Sequence, residues 1–173
     1  MLRTISLQIP SARSQLRIRN FSSHTSTKMS WLPVPQDSPF SIKNIPFGII
    51  TSKFSQTQKR PAIAIGDHVL DLLAFSTSNG FSSLPSIQPH LDVFAQPTLN
   101  AFAALGRPVH KEVRKYIQDV LKTDTPYASL LKDNEEVQKK VLLPKHETKT
   151  HLPMQIGDYT DFYAGRNHAF NVG

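Results

Sequence analysis

The chain has 173 residues, a formal net charge of +7 and no cysteine. The absence of cysteine excludes disulfide bonds, zinc–thiolate sites and cysteine nucleophiles. No stretch is apolar for the roughly eighteen residues that a membrane-spanning helix needs, so we expect no membrane span. The length suits one ordinary domain, or one small domain followed by part of another.

The positive charge is concentrated in residues 1–28. This stretch holds five of the chain's 20 Lys and Arg and no acidic residue, which leaves 15 against 13 Asp and Glu in the remainder. Because the remainder is close to neutral, it lacks the basic face that nucleic-acid binding requires. We therefore predict no nucleic-acid partner.

Residues 1–28 are also rich in Ser and Thr, with Arg at intervals, which is typical of a mitochondrial transit peptide. Within them, Arg19–Ser22 resembles a matrix-peptidase cleavage pattern. The alternative is an upstream extension, with Met29 as the true initiator. Both interpretations predict a disordered leader outside the fold.

The body after Met29 begins with the patterns of β-strands. Phe47–Thr51 is rich in β-branched residues and predicts a strand. The polar stretch 53–60 predicts a loop. Ala62–Ile65 and His68–Leu72 then predict a hairpin around a Gly-Asp turn. This order indicates a mainly β fold with short helices, of the α+β class, built on a small barrel or sandwich.

The middle of the body carries helical patterns. Pro97–Leu105 predicts a short helix that stops at Gly106, and Pro108 suits the first turn of the next helix. In that second helix, apolar residues recur at spacings of three and four, while basic and amide residues are predicted to face solvent. The apolar stripe comprises Val109, Val113, Tyr116, Ile117, Val120 and Leu121, and the solvent face Lys111, Arg114, Lys115 and Gln118. Phe94, Phe102 and Tyr116 are predicted to belong to the core.

Two further predictions concern the end of the body. Asp133 and Glu136 have the spacing of a capping box before a helix through Val141. Pro144–Thr150 is polar and predicts a linker.

Residues 158–168 place two carboxylates, two phenols, a guanidinium and an imidazole in one short segment. Carboxylate oxygens suit hard cations such as Ca²⁺ or Mg²⁺. An imidazole with a pKa near neutrality suits proton removal from water. The residue types alone leave a turn or capping role for either aspartate open, and a surface role for the histidine.

A resemblance to a known family narrows these alternatives. Gly157–Tyr163, followed by Arg166, His168-Ala169 and Asn171–Gly173, resembles the signature of the fumarylacetoacetases. Further similar pieces run in order through the body, at Pro33-Val34, Asp37-Ser38, Phe40–Gly48, Ala64–Asp67, Leu70–Leu72 and Asp92–Asn100. Residues 1–28 lie outside the resemblance.

The resemblance implies an N-terminal domain with a small SH3-like β-barrel over residues 29–150. Residues 151–173 would then begin a mainly β catalytic domain, truncated at Gly173. It also implies roles for three residues: Asp161 as a ligand of Ca²⁺ or Mg²⁺, Tyr163 as a substrate contact and His168 as the general base. Relatives of full length are homodimers and act in the cytosol, whereas the leader argues for mitochondria.

The implied reaction is hydrolysis of the carbon–carbon bond of 4-fumarylacetoacetate to fumarate and acetoacetate, in tyrosine and phenylalanine catabolism. A single carboxylate cannot hold Ca²⁺, which takes about six to eight oxygen ligands. If the family pattern holds, the other ligands and the carboxylate partner of His168 lie outside the 173 residues. We therefore expect the isolated chain to be inactive. The alternative is a non-catalytic domain that acts as an interaction or regulatory module.

Overall fold

The computed structural model of the chain describes residues 29–160, 162 and 164–172. The predictions for residues 1–28, for Asp161 and for Tyr163 therefore lie outside the described residues.

The centre of the fold is a five-stranded antiparallel sheet with the strand order β4-β3-β2-β1-β5. Its strands are β1 Phe47–Ser52, β2 Ser55–Ile65, β3 His68–Asp71, β4 Leu142–Pro144 and β5 Thr148–His151. The helices are α1 Leu72–Thr77, α2 Asn100–Ala104, α3 Gly106–Leu121, α4 Glu135–Val141 and α5 Arg166–Val172, with 3₁₀ turns at Gln88–Ala95, Ala128–Leu130 and Lys145–Glu147. The mixed helix and sheet content agrees with the predicted α+β class.

The predicted hairpin between β2 and β3 is confirmed. Ile65 pairs with His68 across the two-residue Gly66-Asp67 turn. Gly66 has a φ of +55°, a backbone conformation that side chains disfavour. A Cβ atom at this position would lie 2.6 Å from the carbonyl oxygen of Pro33, so the turn requires glycine on two grounds.

The prediction of a loop over the polar stretch 53–60 is wrong for most of its length. The turn is limited to Lys53 and Phe54, and β2 begins at Ser55. The strand forms there because its main chain pairs with β1, with Ile50 opposite Arg60 and a register irregularity before Ser52. A strand whose side chains face water can pair through its main chain without containing apolar residues.

The prediction of a linker over Pro144–Thr150 is wrong, because this stretch contains the last residue of β4 and most of β5, the two edge strands of the sheet. Pro144 pairs with His68 of β3, and Thr150 pairs with Ile50 of β1. Only the 3₁₀ turn joins β4 to β5, and the four residue steps from Pro144 to Thr148 span at most about 14 Å. In a flat sheet these edges would lie about 19 Å apart, at four strand spacings. The sheet is therefore strongly coiled.

The described sheet is nevertheless open, because its order ends at β4 on one side and at β5 on the other. An SH3-like barrel is thus not confirmed.

Helix α3 confirms the predicted apolar stripe. Five of its six residues are buried, and Val109 packs against the same core. The predicted boundary differs: Gly106, expected to stop the preceding helix, is the first residue of α3, and its φ of +82° turns the chain sharply out of α2. Asn134 rather than Asp133 caps α4, with its side-chain oxygen 3.1 Å from the backbone nitrogen of Val137.

The predicted solvent face of α3 is wrong for two residues. Arg114 donates to the carbonyl oxygens of Lys43 and Ile45, at 3.1 Å each, and the Gln118 amide donates to Ile42 at 2.9 Å. The fold brings these carbonyl groups close to α3 from a distant part of the chain. The sequence pattern of α3 therefore cannot predict that Arg114 and Gln118 form these hydrogen bonds. The two side chains fasten the 42–45 segment.

The predicted aromatic core is confirmed, since Phe94, Phe102 and Tyr116 are buried. Phe81 stacks on Phe94 with ring centroids 4.8 Å apart. The Tyr116 hydroxyl donates to the carbonyl oxygen of Gly80 at 2.8 Å, and burial raises the pKa of Tyr116 to about 12. Through Phe102 and Tyr116, α2 and α3 pack against Phe94 and Phe81 in the core.

Candidate functional site

The described part of the chain beyond β5, residues 152–160, 162 and 164–172, is called the terminal segment here. Three hydrogen bonds attach its start to the first turn of α2. The backbone N–H of Leu99 donates to the carbonyl oxygen of Pro153 at 2.7 Å. The side chain of Asn100 accepts from the N–H of Gln155 at 2.8 Å and donates to its carbonyl oxygen at 3.1 Å.

Helix α2, which makes these bonds, is itself packed into the core. Leu99 is 8% exposed and Phe102 is 6% exposed. The Phe102 ring stacks on Phe47, with centroids 5.3 Å apart, and its carbonyl oxygen lies 2.8 Å from Nε2 of His110. The start of the terminal segment is therefore tied to the core through one buried turn of helix.

His168 lies in α5, whose backbone begins with a bond from the N–H of Ala169 to the carbonyl oxygen of Gly165 at 3.0 Å. The side chain of His168 is exposed, as are those of Asp158 and Arg166. Of the three residues with predicted roles, only His168 lies within the described residues. Its approach to Asp161 and Tyr163 stays a prediction.

The terminal segment also exposes large apolar side chains. Ile156 is 73% exposed and Tyr159 is 86% exposed, and four further residues are more than half exposed: Leu152, Phe162, Phe170 and Val172. In a segment of this length, so much exposed apolar surface is characteristic of a region that contacts other protein or a ligand. By contrast, the aromatic rings of the preceding domain are largely enclosed.

The predicted binding of Ca²⁺ or Mg²⁺ stays a prediction, because its ligand Asp161 lies outside the described residues. Among residues 29–160, 162 and 164–172, no three His, Asp or Glu side chains come together as ligands. Nor is any helix of the described part long and apolar enough to cross a membrane.

The contact between Asn100 and Gln155 was not predicted from sequence. Asn100 belongs to a piece of the family resemblance, but no role follows from that. Its partner lies 55 positions away, which no local pattern can reveal. The apolar residues of the terminal segment are present in the sequence, but their exposure is shown only by the fold.

Comparison with known proteins agrees with the resemblance. Residues 43–153 match the family model described as Fumarylacetoacetase N-terminal. The chain is 65% identical over 144 residues to the fumarylacetoacetase of Emericella nidulans, and 42% identical over 144 residues to that of Caenorhabditis elegans. It is 41% identical over 145 residues to the human fumarylacetoacetase.

The first two alignments cover 83% of the chain and the human one 84%, but each covers only 33% of the relative. The chain thus spans about a third of the length of the curated relatives it matches. The family match extends over most of the described domain, from Lys43, whose carbonyl oxygen accepts from Arg114, to Pro153, whose carbonyl oxygen accepts from the N–H of Leu99. The chain therefore belongs to the fumarylacetoacetase N-terminal family.

Proposed function

We propose that the chain supplies the N-terminal domain and one wall of the active site of a fumarylacetoacetase. The proposed reaction is hydrolysis of 4-fumarylacetoacetate to fumarate and acetoacetate, a step of tyrosine and phenylalanine catabolism. The observation that carries the proposal is the exposed terminal segment with His168, directly after a domain of this family. Identity of 65% to a relative named fumarylacetoacetase supports it.

In the proposed reaction, His168 is the general base. Its imidazole takes a proton from water, and the resulting hydroxide adds to the carbonyl carbon on the fumaryl side. The carbon–carbon bond then breaks, and its electron pair leaves with the acetoacetate carbon as an enolate. A proton delivered to that carbon completes acetoacetate, while the water oxygen stays in the new carboxylate of fumarate.

Tyr163 is proposed to contact the substrate and Asp161 to bind Ca²⁺ or Mg²⁺. When bound, the cation would supply Lewis-acid stabilisation of negative charge on oxygen. Asp161 offers two oxygens toward the six to eight that Ca²⁺ takes. We propose that the remaining ligands, and the residue that orients His168, come from protein outside this chain. A homodimer, which the resemblance implies, is part of the same proposal.

The test is a fusion of this chain to the part of the Emericella nidulans relative that lies beyond the matched region. Hydrolysis is followed as the appearance of fumarate and acetoacetate, with and without a chelator. We expect activity from the fusion that a chelator abolishes, and none from either part alone. A soluble, folded fusion without activity would contradict the proposal.

The exposed apolar residues favour a second candidate, a non-catalytic interaction module. This candidate predicts that residues 29–173 unfold cooperatively and bind the relative of full length. Phe170→Ser should weaken that binding, whereas Phe54→Ser, which changes a ring 74% exposed at the β1–β2 turn, should not. Equal binding by both variants would exclude the terminal segment as the contact surface.

A further inference from the structure

The first turn of α2 holds the main chain at the point where it leaves the sheet. Strand β5 ends at His151, and the three bonds to α2 follow at Pro153 and Gln155. Beyond His151 the strand pairing with β1 no longer determines where the chain goes. The direction of the terminal segment is therefore set at α2.

The Asn100 side chain acts there as a substitute for a peptide group. A side-chain amide carries both a donor and an acceptor, and Asn100 uses both on one residue, satisfying the N–H and the C=O of Gln155. Two bonds to one residue, one to the peptide group on each side of its Cα atom, define the orientation of Gln155, which a single bond would leave free to rotate. An aspartate at this position could accept from the N–H but would present a second acceptor to the carbonyl oxygen.

The support behind Asn100 is rigid, because the neighbouring Leu99 and Phe102 are buried in the core. Gln155, whose backbone position and orientation are fixed by these bonds, precedes Asp158 by three residues and His168 by thirteen. An error of about 1 Å in the placement of reacting groups can lower a rate a hundred-fold. Orientation at Gln155 thus bears on the geometry of everything that follows.

We infer that Asn100 is a positioning residue that fixes the path by which the segment carrying His168 leaves the domain. Its side chain needs no contact with substrate or with the reacting atoms, since it acts through the Gln155 peptide. The importance of that path for catalysis rests on the proposed function, but the path itself does not.

The test compares Asn100→Ala with Asn44→Ala in the 173-residue chain. Asn44 is a matched control, because its amide also makes an exposed hydrogen bond, to Pro39, far along the chain from Gln155. We expect the Gln155 amide to exchange its proton about ten-fold faster in Asn100→Ala, because two hydrogen bonds are lost. Asn44→Ala should leave that exchange unchanged, and both variants should melt within about 2 °C of the native chain.

Two further readouts separate positioning from a general loss of structure. The NMR signals of the His168 ring should shift in Asn100→Ala and not in Asn44→Ala. Asn100→Asp, which keeps the acceptor, should give a Gln155 exchange rate between those of the native chain and Asn100→Ala. Unchanged exchange at Gln155, or unchanged His168 signals, in Asn100→Ala would overturn the inference.

In the fusion with the Emericella nidulans relative, Asn100→Ala should lower kcat about ten-fold or more with little change in KM. Faster exchange with an unchanged kcat would overturn the catalytic part of the inference. A native fusion without activity would count against the proposed function instead, and the exchange and NMR results would still decide whether Asn100 fixes the path.

Discussion

Replacing Phe102 with alanine should destabilise the domain more than most single changes, because this ring joins α2 to the sheet and to α3. It is 6% exposed and stacks on Phe47 of β1 at 5.3 Å. It also contacts Phe94, at 5.7 Å between centroids, and His110 of α3, at 4.9 Å.

The size of the effect follows from burial and ring contacts. Truncating a buried phenylalanine to alanine costs about 3–5 kcal/mol, through lost transfer energy and the cavity left behind. Aromatic pairs add about 0.5–1.5 kcal/mol beyond burial. Because Phe102 is not completely buried, we expect a value at the low end of this range, about 3 kcal/mol. Phe102→Leu, which keeps most of the apolar surface, should cost about half as much.

Urea unfolding followed by tryptophan fluorescence measures this directly. The chain has one tryptophan, Trp31, and its ring nitrogen donates to the carbonyl oxygen of Val120 in α3 at 3.0 Å. With a typical slope of about 2 kcal/mol per molar urea, Phe102→Ala should lower the midpoint by about 1.5 M. Phe54→Ala, the same change at a ring 74% exposed, should shift it by less than about 0.3 M. Equal midpoint shifts for the two variants would show that burial of the Phe102 ring does not stabilise the domain.

Three further predictions concern the same domain. Gly66→Ala should cost about 2 kcal/mol or more in urea unfolding, because it combines a positive φ with a Cβ 2.6 Å from the Pro33 carbonyl oxygen; an unchanged midpoint would contradict this. Tyr116→Phe should cost about 1–2 kcal/mol, because the Gly80 carbonyl group loses its buried donor, and a more stable variant would argue against that bond. Burial raises the pKa of Asp71 above its ordinary value of 3.8, despite its hydrogen bond to Ala74 and its ion pair with Arg60. Its contribution to stability is therefore fully present below pH 3.8 and falls as the pH rises through the folded-state pKa. The free energy of unfolding of the native chain minus that of Asp71→Asn should fall across this range, and a rise would show that the ion pair dominates.

Much of the domain could be predicted from local patterns. The stripe in α3 and the turn at Gly66 arise from side-chain periodicity and backbone conformation, which neighbouring residues determine. The wrong predictions of secondary structure have a different origin. Strands β4 and β5, and the first half of β2, form because main-chain groups pair with a neighbour across the sheet. The side chains of β5 and of the first half of β2 are polar and carry little of that information, and β4 is only three residues long.

The candidate site likewise has features that local sequence predicts and contacts that it does not. The residue types at 158–168 indicate a site from the sequence, whereas the roles of Asp161, Tyr163 and His168 stay predictions, because the family match ends at residue 153. The contact between Asn100 and Gln155, and those of Arg114 with Lys43 and Ile45, join distant parts of the chain. Only the folded structure shows them.

We propose that His168 acts as the base of a fumarylacetoacetase. The measurement that decides this role is kcat for fumarylacetoacetate hydrolysis in the fusion, comparing His168→Ala with the same change at exposed His146 on the β4–β5 turn. We expect a loss of about 10²–10⁴-fold for His168→Ala, the usual contribution of a general base. We expect no significant change for His146→Ala. A His168→Ala fusion as active as the native one would contradict this role.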